Sequence, residues 1–138
     1  PLGKLLRTVS GHMVDMILDI RKNSPTFGKI IMHDMPASAD DDYNEWIWLP
    51  PGFAHGSYFV KDSLVEYFFT ANYNPQAEAG ISPFAEDLDW SLCDPGLKDQ
   101  FEAIKTSALI NDRDKNAMSL NEWQKDVRSN NFIYHHDA

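Results

Sequence analysis

The sequence holds one cysteine, Cys93, in 138 residues. It can build no internal disulfide, no Cys-x-x-Cys redox pair and no cysteine zinc cluster, and the count fits a reducing, cytoplasmic setting. Cations are scarce too: 12 Lys and Arg stand against 21 Asp and Glu, a formal charge of −9. That excludes a nucleic-acid polymer as a natural partner, because such binding needs a positive footprint to displace counterions. A small anionic ligand, which needs only two or three local cations, stays open. No run approaches the roughly 20 apolar residues of a transmembrane helix and no basic-then-apolar signal opens the chain, so no membrane partner is expected. What is present is the balance of a globular domain, with 43% apolar, 12% aromatic and 24% charged residues. Residues 1–138 read as a single domain, with a β core over 1–92 and a C-terminal helical segment over 93–138.

Apolar alternation dominates the first half. Val14, Met16, Leu18 and Ile20 fall on one side of the segment His12–Ile20 while Asp15 and Asp19 fall on the other, which predicts a half-buried strand. Lys4–Val9, Lys29–Met35, Glu45–Leu49, Ser57–Val60 and Val65–Ala71 are further short strand candidates. Turn residues separate them, among them Ser10-Gly11, Pro50-Pro51-Gly52 and Lys61-Asp62-Ser63. Short, evenly spaced strands of this kind predict an all-β antiparallel sandwich or barrel. Past Asn74 the pattern changes. Asp94-Pro95 supplies a cap and a first-turn proline for a helix in which Leu97, Phe101, Ile104 and Ala108 share a face. A second helix starts at Ser119, with Ser119 and Glu122 as a capping box and Leu120, Trp123 and Val127 as its apolar stripe.

The densest candidate site is Leu49-Pro50-Pro51-Gly52-Phe53-Ala54-His55-Gly56. Two prolines and a glycine fix a tight entry into the next strand, so His55 projects at a defined angle near a barrel mouth. Pro50-x-Gly52-x-x-His55 also matches the second half of the cupin signature. The companion His-x-His with a later Glu is absent, and His12 and His33 lack partners at metal spacing, so no metal is expected and His55 is read as a hydrogen-bonding or proton-transfer group. His135-His136 reads as a solvated tail.

Five segments then occur in order: Gly3-Lys4-Leu5, Gly11 with the strand Met13–Arg21, Ser24-Pro25-Thr26-Phe27-Gly28-Lys29, Trp46 to Gly56, and Tyr73-Asn74-Pro75 with Glu78. Together they resemble the dTDP-4-dehydrorhamnose 3,5-epimerase family, up to Trp90 and again over Leu109–Asp114. The resemblance implies a cupin-like jelly-roll with two short C-terminal helices, a homodimer, no cofactor, and a nucleotide-diphosphate sugar as ligand. It implies epimerisation of a dTDP-4-keto-6-deoxy sugar at C3, C5 or both, by removal and return of protons α to the ketone, in deoxysugar and cell-surface polysaccharide biosynthesis.

Carried over by position, Lys4 resembles the lysine that stabilises the enolate oxygen and His55 the histidine that contacts the sugar. Tyr73 resembles the tyrosine stacked on thymine, Glu78 a substrate-contacting glutamate, Arg113 a basic residue near the diphosphate, and Asp114 the aspartate paired with the catalytic histidine. Two departures stand out. The family's base histidine lies in an Arg-Gly-Leu-His-like motif upstream of Gly3-Lys4-Leu5, and this chain opens at Pro1 without it, so a truncated, catalytically incomplete segment is expected, with an exposed sheet edge that favours association. The family's acid tyrosine aligns with Phe69, which has no hydroxyl. Tyr67 shares its strand face but sits one alternation step, about 7 Å, away, so it is not expected to substitute. A divergent homologue acting at one carbon and a noncatalytic nucleotide-sugar-binding cupin are the alternatives.

Overall fold

The computed structural model describes residues 2–39, 44–72, 80–105 and 117–135. Within them lie four antiparallel strands: β1 (Lys4–Asp19), β2 (Ile30–Pro36), β3 (Ile47–Leu49) and β4 (Phe53–Phe69). β1 is central. One of its edges takes β3 over Lys4–Leu6 and β2 over His12–Leu18, while the other pairs with β4 from Lys4 to Asp19. The architecture is the all-β jelly-roll that the strand spacing and the cupin resemblance predict, followed among the described residues by two short helices.

Two turn signals mark something other than strand ends. Lys4–Val9 and His12–Ile20 are one 16-residue strand running through Ser10-Gly11, and the segments on either side of Lys61-Asp62-Ser63 are one 17-residue strand. The paired strands bend there instead of stopping. His55 and Tyr67, twelve residues apart on β4, would lie roughly 40 Å apart on a straight strand, yet their rings sit 6.3 Å apart. The ribbon therefore folds back over itself, and the reversal falls where the β1/β4 register slips three times between Thr8 and Met13. Gly11 sits at the apex with φ +87°, a conformation that side chains resist. The Ser63 hydroxyl accepts from the His12 amide at 2.8 Å, and the Gly11 carbonyl accepts from the Ala37 amide at 3.0 Å, so the bend is tied on both sides.

Folding back gives the sheet an inner and an outer face. Leu6, Met13, Ile17, Met35 and Leu49 form the inner cluster, which unites the two ends of β1. On the outer face Val14, Met16, Leu18, Met32 and Tyr58 pack against Phe101, Leu120 and Trp123. From Met13 to Asp19 β1 is buried on both sides, which corrects the half-buried reading: Asp15 and Asp19 point into protein, not into water.

Helix α1 (Pro95–Lys105) begins as its sequence predicts, with the Asp94 carboxylate accepting from the Leu97 amide at 3.1 Å; Ala108 lies outside the described residues. Helix α2 (Leu120–Lys125) carries the predicted capping box, Ser119 and Glu122 each bonding the other's amide. Leu120 and Trp123 are buried, and the Trp123 indole donates to the Ile20 carbonyl at 3.1 Å. Val127 departs from the stripe: α2 ends at Lys125, a 3-10 turn follows over Val127–Asn131, and Val127 is left 76% exposed. The Tyr58 hydroxyl donates to Gln100 Oε1 at 2.8 Å, and burial pushes this phenol up to about 12, so it ties β4 to α1 as a neutral group. Among the described residues no helix is long and apolar enough to cross a membrane.

Candidate active site

Pro50-Pro51-Gly52 delivers the chain into β4 as the sequence predicts. Gly52 adopts φ +102° against the Arg21 side chain, and its carbonyl accepts from the Ile20 amide at 3.1 Å. His55 follows three residues later on the inner face, with its side chain 9% exposed. Across the ladder Asp15 pairs with Ser57 and Ile17 with His55, so Asp15 is the diagonal neighbour of His55 on the same face. The His55 Nε2 contacts the Asp15 carboxylate directly.

Asp15 is the anchor of the site. It has no solvent exposure, and its Oδ1 accepts from the Ser57 hydroxyl at 3.1 Å while also meeting His55. The Ser57 oxygen lies 3.3 Å from His55 Nε2, which closes a triangle of carboxylate, hydroxyl and imidazole. Asp15 Oδ2 is buried without a hydrogen-bond partner among the described residues. Such an oxygen costs about 1–3 kcal/mol, a penalty that structural sites avoid and functional sites tolerate. The carboxylate and the hydroxyl thus hold the imidazole in one orientation on the inner face.

The folded-back end of the ribbon supplies the opposite wall. Lys4, Phe69, Leu6 and Tyr67 are cross-strand partners, so all four side chains leave the sheet on one face. Tyr67 presents its ring edge-on to His55 at 6.3 Å and stacks parallel on Phe69 at 6.0 Å. Burial raises the Tyr67 phenol, the Ser57 side chain opposes that rise and the Asp15 charge adds to it, so the group is protonated at neutral pH. Of the residues singled out from sequence, the fold brings Lys4, His55 and Phe69 onto this inner face. Tyr73, Glu78, Arg113 and Asp114 lie outside the described residues. The carboxylate beside His55 is Asp15, which sequence reasoning had placed in solvent. The signal in the sequence was an aspartate flanked on both sides by apolar residues, Met13-Val14 before it and Met16-Ile17-Leu18 after it.

Two further histidines, His12 and His33, are peripheral. His12 pairs with Asp34 and His33 with Glu45 near the surface, and no three ligating side chains converge among the described residues. Asp19 has a different task. Burial would raise its carboxyl, but bonds from Arg21, Ser24 and Thr26 outweigh this and hold it down at about 2. The Ser24 hydroxyl and the Thr26 hydroxyl at 2.6 Å both donate to Oδ2, and Arg21 donates to Oδ1 at 2.9 Å. The Ser24–Lys29 motif is thus a turn wrapped around a buried anion.

A jelly-roll whose inner face joins a buried imidazole–carboxylate pair to a phenol and a lysine is a cupin-type scaffold equipped for proton transfer. Residues 1–122 match the family model for dTDP-4-dehydrorhamnose 3,5-epimerase, and the chain belongs to that family. It is 37% identical over 101 residues to the dTDP-4-dehydrorhamnose 3,5-epimerase of Shigella flexneri, covering 71% of this chain and 54% of that one. Among solved structures it resembles an epimerase of Mycobacterium tuberculosis at TM-score 0.67 and 31% identity, over 96% of this chain and 58% of the other. A 3'-monoepimerase of Streptomyces bikiniensis in complex with dTDP-quinovose superposes at TM-score 0.68 and 26% identity, over 90% of this chain and 56% of that one. The chain thus spans a little over half the length of these relatives.

Proposed function

We propose that the protein epimerises a dTDP-4-keto-6-deoxy sugar at carbons flanking the ketone. The observation that carries this reading is the buried His55–Asp15 pair on the inner face that Lys4 also occupies. Removing a proton α to a ketone leaves an enolate, and three tasks follow: taking the proton, stabilising the oxygen and returning a proton from the opposite face. The Lys4 ammonium is assigned to the oxygen, where a fixed cation counts most as charge develops. His55, oriented by Asp15, contacts the sugar and carries protons within the pocket. The base is assigned to the family's histidine upstream of Gly3-Lys4-Leu5. Tyr73 is assigned to the thymine, Glu78 to the sugar, Arg113 to the diphosphate, and Asp114 to the carboxylate behind the base.

A cytoplasmic homodimer belongs to the same reading. Support for pairing comes from the outer face near β3, where Trp46, Trp48 and Phe68 are exposed side by side. The deciding experiment incubates the full-length protein with dTDP-4-keto-6-deoxyglucose in D₂O and follows deuterium entry by NMR. Entry at C3 and C5 supports the double epimerase, and entry at one carbon narrows it to a mono-epimerase. Tight binding with no entry at either carbon sinks the enzyme reading and leaves a nucleotide-sugar-binding protein.

A further inference from the structure

We propose that Tyr67 is the proton-returning acid of this site, with Ser57 as its positioning residue, and that the pocket uses this hydroxyl in place of one at position 69. The inference rests on the epimerase reading and deepens it. Along a straight strand Tyr67 is a full alternation step from the position that the family resemblance assigns to the acid. The bend at Gly11 leaves that step in place, since the Tyr67 and Phe69 rings stack 6.0 Å apart, but it folds the Tyr67 end of β4 over the His55 end until Tyr67 meets the imidazole assigned to the sugar edge to face at 6.3 Å. Phe69 stacks parallel on the Tyr67 ring and forms an apolar wall beside it. Tyr67 is therefore held from two directions while its ring stays 38% exposed on the inner face, open to a ligand.

Ser57 fixes the imidazole against which this phenol packs. Its oxygen lies 3.1 Å from Asp15 Oδ1 and 3.3 Å from His55 Nε2, and the Tyr67 ring stands edge-on to that imidazole. A serine has one hydrogen to give and two lone pairs to receive. While Tyr67 is protonated, Ser57 sends its hydrogen to Asp15. When Tyr67 gives its proton to the enolate carbon, the Tyr67 O–H bond breaks, the C=C electron pair forms the new C–H bond, and the ketone is restored. A phenolate remains, and a proton from solvent, which reaches the part-exposed Tyr67, restores the phenol. The proton taken by the upstream base balances the one returned.

The test measures turnover of dTDP-4-keto-6-deoxyglucose in D₂O by the full-length protein and its variants. Tyr67→Phe is expected to slow epimerised, deuterated product by about 100-fold or more, with affinity for dTDP within twofold of the parent and an unchanged circular dichroism spectrum. Ser57→Ala is expected to lower kcat by about 10-fold with KM unchanged, and Ser57→Thr, which keeps the hydroxyl, to restore it. If Tyr67→Phe turns over at the parent rate, the proposal falls while deuterium entry in the parent still upholds the epimerase. It falls equally if Phe69→Tyr raises turnover by more than about 100-fold, since the parent pocket would then have lacked an acid. A parent that binds dTDP and incorporates no deuterium overturns both readings together.

Discussion

At the scale of single residues, two buried aspartates on one strand do opposite work. Asp19 is saturated by Arg21, Ser24 and Thr26, whereas Asp15 leaves one oxygen unpartnered among the described residues. The first is a stability device with a defined acid limit. Its carboxyl titrates near 2 in the folded chain against an ordinary value of 3.8. The folded state therefore binds fewer protons than the unfolded one in that interval. Its contribution, about 2 kcal/mol, is complete above pH 4 and drains away as the pH falls through 2. Urea unfolding of the parent and of Asp19→Asn at pH 7, 4 and 2 checks this: the parent's advantage is expected to be full at pH 7, nearly full at pH 4 and mostly lost by pH 2. An equal gap at all three values would show that the turn is held by packing alone. In the proposed site Asp15 orients His55, and Asp15→Asn is expected to cost about 100-fold in turnover, because the amide replaces the buried carboxylate that meets His55 Nε2. A deuterium-exchange assay beside a melting curve separates that loss from unfolding.

At the scale of elements, the sequence was most legible where one local rule decides the structure. Asp94-Pro95 and the Ser119/Glu122 box start helices as they would in any protein, because a cap is satisfied within four residues. The strand cores and the turn into His55 were readable for the same reason. What sequence reasoning missed was long-range. Ser10-Gly11 and Lys61-Asp62-Ser63 look like chain punctuation, but they face each other across a ladder and make one bend. Asp15 read as a solvent residue because alternation reports two faces without saying that both are covered. Tyr67 read as one alternation step from position 69, and the two rings do stack 6.0 Å apart; what the strand pattern could not show is the bend that sets Tyr67 against His55. The bend can be tested through its apex: a Cβ at Gly11 would lie 2.6 Å from Ser63 Cα, and the φ of +87° is itself unfavourable for alanine. Gly11→Ala is expected to destabilise the fold by about 2 kcal/mol or more. Fluorescence-monitored urea unfolding checks it, and a neutral result would mean that the register slips, not the glycine, set the reversal.

At the scale of the molecule, charge and apolar surface pull in opposite directions. Each chain carries a formal charge of −9, so two copies repel. Yet Trp48 and Phe68 are each about half exposed on the outer face, beside Trp46, whose ring also carries the Arg7 guanidinium at 5.0 Å. Among the described residues β4 pairs with β1 alone, so its other edge is open as well. A cluster of large aromatics beside an unpaired edge is a surface suited to association. The balance of the two terms depends on salt. Raising ionic strength from 0.1 M to 1 M shortens the screening length from about 10 Å to about 3 Å, which weakens the repulsion and leaves apolar contact intact. A dimer built on this face is therefore expected to tighten with salt, opposite to an interface built on ion pairs. Sedimentation equilibrium of the full-length protein should give twice the chain mass, with a dissociation constant that falls as salt rises. Trp48→Glu, which places a charge in the patch, should shift the mass towards one chain at every salt concentration. A parent that weakens in salt, or a Trp48→Glu variant that pairs as tightly as the parent, would place the dimer contact elsewhere on the molecule.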